Sequence, residues 1–264
     1  VLDLLRALEE TWTGIDVLLA SLEDEQWALP TPNTEWDIKD LAAHLGGLES
    51  MFLGFPQPEP PEGWSTGHTG LHQATSLGVA ARKPWSTAQV LDELRSASRA
   101  QLDRLQGLDD AGWQEPTMGP LGMTSVTNFA DIRLSDLFVH LLDLRFALGL
   151  PLHSPAEELA ESLVVARVVR LTGWGAVKGA GLPDGTWILL EVTGPGGTTA
   201  DLVVTDRRGT LVDPEPGATS QISGPGLAYV LEVSGRHEMA RAAGVLEVEG
   251  EAAKALLAGY RLFG

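Results

Sequence analysis

The chain contains no cysteine in its 264 residues. Disulfides are excluded, and so is any thiolate ligand or nucleophile supplied by the protein itself. Thiol chemistry here would have to borrow an external thiol. Basic residues are also scarce: 18 Lys and Arg stand against 36 Asp and Glu, a formal charge of −18. Nucleic acid and anionic membrane surfaces both call for a basic face, so neither is an expected partner. No apolar run approaches the ~20 residues that a helix needs to cross a bilayer. The opening residues, Val1 to Arg6, read as a charged amphipathic helix rather than a secretory leader, and the expected compartment is the cytoplasm. Internal repeats and low-complexity tracts are missing too. What remains is an ordinary globular composition, 44% apolar, long enough for two domains.

Helical periodicity dominates the first half. Leu4, Leu5, Leu8, Trp12, Ile15, Leu18 and Leu19 place a helix over about 2–22. Thr34 is the expected N-cap of a second helix, whose inward stripe is Ile38, Leu41, Leu45, Leu48 and Phe52. Prolines 56, 58, 60 and 61 mark a loop, and a weaker helix is expected over 68–83. Ser86 caps the next helix, which runs to about Gln106; residues 107–124 read as a loop. The stretch Asp131 to Arg145 reads as one amphipathic helix, stopped by Gly149 and Pro151. The expected fold is an antiparallel four-helix bundle over 1–152.

Beyond Pro151 the texture changes. A helix with Pro155 at its first position is expected to link the halves and to end near Thr172. Strands are expected over 186–192, 199–205, 218–223 and 245–249, with helices over 225–233 and from Gly250 to about Phe263. Residues 153–264 therefore form a smaller α+β domain, and the whole is α plus α+β.

Within the bundle, Asp136 and His140 lie four residues apart on one helix face, and Asp143 lies a turn further on. His44 falls beside Leu41, Leu45 and Leu48. An inward carboxylate and two inward imidazoles are costly to bury without partners, and a metal ion would satisfy all three. Three protein ligands with a fourth position open is the pattern of a catalytic metal. The plainer alternative is a core histidine bonded to a carbonyl, with Asp136 paired to Arg133. His68 and His72, at helical spacing, form a rival pair, weakened by Gly67 and Gly70.

Three stretches together carry a family resemblance. The segment from Trp27-Ala-Leu-Pro through Glu35-Trp-Asp-Ile-Lys-Asp-Leu-Ala-Ala-His44 resembles the opening of the mycothiol-dependent maleylpyruvate isomerase family, a branch of the DinB-like metal proteins. The run from Asp136-Leu-Phe-Val-His140 to Gly149 resembles its second motif. Residues of 184–264, including Asp184-Gly-Thr-Trp and Ser234-Gly-Arg236, resemble the sterol-carrier-like domain that closes the same family.

The resemblance implies a divalent cation, zinc foremost, held by His44, Asp136 and His140. The family commonly carries Glu where Asp136 stands, one methylene longer. It also implies that Asp143 orients the imidazole of His140. The implied cofactor is a low-molecular-weight thiol, mycothiol or bacillithiol, and the implied substrate a small electrophile. Thiolate addition to a cis double bond, rotation about the resulting single bond and elimination would return the trans isomer and the thiol; S-transfer is a related outcome. Arg236 is the expected catalytic cation for a substrate carboxylate, and Arg82 and Arg133 are candidate cofactor-binding cations. The alternatives are a non-catalytic protein that binds a metal or small ligand, and a carrier of apolar ligands. Oligomeric state is not legible.

Overall fold

The computed structural model describes residues 1–33, 35–59, 62, 70–119 and 122–262, with the backbone alone for 70–72. The chain divides into two compact units, Val1–Pro151 and Leu152–Gly264.

The first unit is helical. Helix α1 spans Leu2–Ala20 and buries Leu4, Leu8, Trp12, Ile15 and Leu19, the stripe read from the sequence. Helix α2 spans Ile38–Phe52. Its N-cap is Asp37, whose carboxylate accepts from the Asp40 amide at 2.8 Å. This corrects the expected start: the expected cap, Thr34, lies outside the described residues, and Pro30 instead bridges Asp37 to set the entry. Helix α3 spans Gly70–Arg82 and α4 spans Thr87–Gln106. Ser86 caps α4 in a reciprocal box with Gln89, as its sequence position predicts.

The expected loop over 107–124 holds more structure. A 3₁₀ turn (Gly112–Gln114) precedes a short hairpin, β1 (Pro116–Gly119) with β2 (Gly122–Ser125). Strands of four residues, with Pro, Met and Gly among them, carry too weak an alternation to be legible. Ser125 then caps α5, Val126–Ala147. This helix starts five residues before Asp131 and is not amphipathic. Every residue from Leu137 to Leu144 is buried, with Phe129, Ala130, Arg133 and Leu134 before them. A helix covered on nearly all sides needs no polar face, and its polar residues must therefore be paired inside. α5 packs against α1 and α2, and α2 packs in turn against α3 and α4. Leu41, Leu45, Leu134 and Leu137 show no exposed surface; each contributes about 2 kcal/mol by burial.

The second unit opens with a 3₁₀ turn at Pro155–Glu157 and then α6, Glu158–Trp174. A mixed sheet follows, in the order β5-β4-β3-β6-β7. Its strands are β3 (Trp187–Thr193), β4 (Thr198–Thr205), β5 (Arg208–Val212), β6 (Ser220–Pro225) and β7 (Glu247–Glu249). β3 runs parallel to β6, and the other pairings are antiparallel. Ile188, Leu190 and Val192 alternate inward with Ala200, Leu202 and Val204. Helices α7 (Gly226–Val233), α8 (His237–Ala243) and α9 (Glu251–Gly259) complete the unit. β5 and α8 were not among the expected elements. β5 is an edge strand entered by Asp206 and Arg207, both at positive φ, a two-residue hairpin turn without the usual glycine.

Among the described residues, no helix is long and apolar enough to cross a membrane.

Candidate metal centre

Two helices supply the centre. His44 and Glu49 come from α2; Arg133, Asp136, His140 and Asp143 come from α5. The i, i+4 spacing stacks Asp136 and His140, and the inward stripe of α2 turns His44 toward them. The three donor groups converge within 4.8 Å of one another. His140 Nε2 stands 3.7 Å from Asp136 Oδ1, and His44 Nε2 stands 4.0 Å from Asp136 Oδ2. The two imidazoles meet edge to face, with ring centroids 5.0 Å apart. Both histidines are 7% exposed, so water reaches the cluster chiefly along Asp136, whose side chain is 20% exposed.

Two of the ligand candidates, His140 and Asp136, are held by a charged neighbour. His140 Nδ1 lies 2.9 Å from Oδ2 of the wholly buried Asp143. A carboxylate accepts, so Nδ1 donates to it, and Nε2 is the ring nitrogen that faces Asp136. Arg133 Nη1 donates to Asp136 Oδ2 at 2.7 Å. Arg133 Nε donates to Glu49 Oε1 at 2.8 Å, and Nη2 stands 2.8 Å from the same oxygen. Burial alone would push the Asp136 carboxyl up; Arg133, His140 and His44 outweigh it and hold it down at about 2. Asp136 is therefore ionised throughout the physiological range. Glu49 moves the other way: burial, with the charge of Asp136 added, raises it against the pull of Arg133.

This environment suits a divalent cation. Three carboxylates, the buried Glu49 and Asp143 and the partly exposed Asp136, cluster around one guanidinium and two imidazoles. In a tetrahedral site with bonds of about 2.1 Å, neighbouring donors stand about 3.4 Å apart. His140 Nε2 and His44 Nε2 approach Oδ1 and Oδ2 of Asp136 respectively to within about 1 Å of that separation. Nitrogen and carboxylate donors without sulfur suit zinc and related divalent ions.

Of the remaining sequence candidates, Arg133 belongs to the centre, where Nη1 donates to Asp136 and Nε to Glu49. Arg82 is enclosed among α2, α3 and α4 with its side chain fully buried, donating to Glu93, to the Gly78 carbonyl and to Gln57. A side chain on Gly47 would stand 3.0 Å from the Arg82 guanidinium carbon, so that glycine makes the room. The pairing of Arg133 with Asp136 was legible at its three-residue spacing; the pairs Arg133–Glu49 and Arg82–Glu93 join separate helices, which spacing does not reveal. Arg236 belongs to the second unit, where it donates to the Ser234 carbonyl at 2.7 Å. His68 lies outside the described residues, as does the side chain of His72. Two members of the centre escaped the sequence reading. Glu49 sits five residues after His44, between Leu48 and Phe52; an acid in that inward stripe was the available signal. Trp36 stacks on His44 at 4.6 Å between centroids.

A family model described as the mycothiol maleylpyruvate isomerase N-terminal domain matches residues 8–145. The chain belongs to this family. The match spans α2 and all but the last two residues of α5, and so contains His44, Asp136 and His140. Similarity extends to an uncharacterized protein of Mycobacterium tuberculosis, found in two strains, at 27% identity over 64% of this chain and 80% of that one. Two solved structures, of the mycothiol-dependent maleylpyruvate isomerase and of its histidine-to-alanine mutant, share the fold of this family member. Their TM-scores are 0.57 and 0.58, at 14% and 13% identity, over 88% of either chain.

Proposed function

We propose that this chain is a metal-dependent enzyme that uses a low-molecular-weight thiol, mycothiol or bacillithiol, to isomerise a maleylpyruvate-like substrate or to carry out a related S-transfer. The observation that carries the reading is the convergence of His44, Asp136 and His140 inside the family's own domain. Among the described residues the group counts three donors, which leaves a coordination position for a small molecule. A bound divalent cation, zinc foremost, would supply Lewis acidity that keeps a small thiol ionised at neutral pH.

The chain's own groups define the rest. Asp143 holds His140 in the tautomer that offers Nε2. Arg133 keeps Asp136 ionised. The low exposure of both histidines keeps bulk water from the donors. The absence of cysteine is in keeping with a borrowed thiol. To Arg236 we assign a role toward a substrate carboxylate, on the sequence resemblance alone. The cytoplasm, where small thiols stay reduced, is the compartment that fits this chemistry.

The test is elemental analysis of the purified protein beside His44→Ala and His140→Ala. We expect about one divalent ion per chain and a loss of at least tenfold in occupancy in each variant. Unchanged metal in both variants would overturn the metal reading. Isomerisation of maleylpyruvate is then followed with and without added mycothiol; turnover that ignores the thiol would overturn the thiol reading.

A further inference from the structure

Asp136 meets two competitors for its oxygens. Oδ2 accepts from Arg133 Nη1 at 2.7 Å and lies 4.0 Å from His44 Nε2, whereas Oδ1 is the oxygen nearest His140 Nε2, at 3.7 Å. Arg133 is anchored in its turn. Its side chain is 3% exposed, and Nε and Nη2 both lie 2.8 Å from Oε1 of Glu49, which is 1% exposed. The guanidinium carbon also rests 5.6 Å from the centre of the Phe52 ring. Glu49 and Phe52 belong to α2 and Arg133 to α5, so this buried chain of contacts ties the helix of His44 to the helix of Asp136 and His140. A planar fork held on one edge by Glu49 has its third nitrogen aimed at Asp136 with little rotational freedom.

We infer that Glu49 and Arg133 are positioning residues that make Asp136 a one-oxygen ligand: Arg133 occupies Oδ2, Oδ1 on the His140 side is left for the cation, and Glu49 fixes Arg133 in that pose. The inference rests on the metal reading above. It assigns a consequence to the shorter acid at position 136. An oxygen that already accepts from an arginine is disfavoured as a second donor to the cation, which keeps a coordination position open for a small ligand. Glu49 acts without touching the cation, through Arg133.

Two variants separate geometry from charge. Arg133→Lys keeps the charge and loses the fork. Glu49→Gln keeps the shape and loses the anchor's charge. Zn²⁺ affinity is measured by competition with a chromophoric chelator. The Co²⁺-loaded protein is then examined by visible absorption, whose ligand-field bands weaken as coordination rises above four. Metal-free melting temperatures provide the control. We expect both variants to bind Zn²⁺ about 10- to 100-fold more weakly than the unaltered chain. We also expect Arg133→Lys to lose Co²⁺ band intensity as Asp136 turns to chelate with both oxygens. Should Glu49→Gln fail to fold, Arg133→Lys and Glu49→Asp carry the same comparison. Unaltered affinity and spectrum in the folded variants would overturn the inference while leaving the metal centre standing. So would a drop in the metal-free melting temperature with no change in either metal readout, since that is a merely structural role. If the unaltered chain binds neither cation, the metal reading fails and this inference with it.

Discussion

His140 owes its orientation to one contact. Asp143 is completely buried and spends Oδ2 on Nδ1 of that ring at 2.9 Å. Removing the carboxylate leaves a buried N–H without its acceptor and frees the ring to turn. We expect Asp143→Ala to weaken Zn²⁺ binding by about 10- to 100-fold, read by chelator competition, with the helical circular dichroism retained. Equal affinity would show that the ring is held by packing alone. The sequence allowed this assignment, because Asp143 lies three residues after His140 and the family resemblance named it. It did not reveal Glu49. The reason is physical: an acid is costly to bury until its partner is known, and Arg133 sits 84 residues away in sequence.

At the scale of elements, the approach of α2 to α4 is set by glycine. A Cβ on Gly46 would stand 3.1 Å from both the N and the Cα of Leu94. That contact is with helix backbone, which has little room to yield. Alanine would gain about 1 kcal/mol in helix propensity, and overpacking costs about 1–3 kcal/mol. We expect Gly46→Ala to lower stability by about 1 kcal/mol net, measured by urea denaturation. A gain in stability would show that α4 can move aside. The long periodic elements were legible: α1 and α4 ran close to their expected bounds, and Ser86 and the β3 and β4 alternations were plain. The elements that escaped were short or enclosed. β1 and β2 hold four residues each, and β5 is an edge strand of five. α5 misled in another way. The apolar gaps suggested one inward face, yet the helix is surrounded, so its early residues from Val126 belong to it as well.

Across the whole molecule the two tyrosines, Tyr229 and Tyr260, make a clean titration. Both are fully buried. The Tyr229 hydroxyl pairs with Thr172 at 2.8 Å, and Tyr260 donates to the Val168 carbonyl at 3.1 Å. Burial pushes both phenols well above the usual tyrosine range. The folded state therefore favours the neutral phenol. Its contribution is intact below the unfolded value of about 10 and falls away as pH rises beyond it. We expect little tyrosinate absorbance near 295 nm at pH 10, with both phenols ionising together as the second unit unfolds in stronger alkali. A smooth titration near pH 10 with the circular dichroism unchanged would contradict the burial of these rings.

The indole of Trp36 lies 4.6 Å from the His44 ring, tilted by 36°. At that range a paramagnetic ion beside His44 would dim one emitter among the eight tryptophans of the chain. The segment leading into α2 thus gives the protein an intrinsic optical gauge, one that reports what rests between two helices without any label attached.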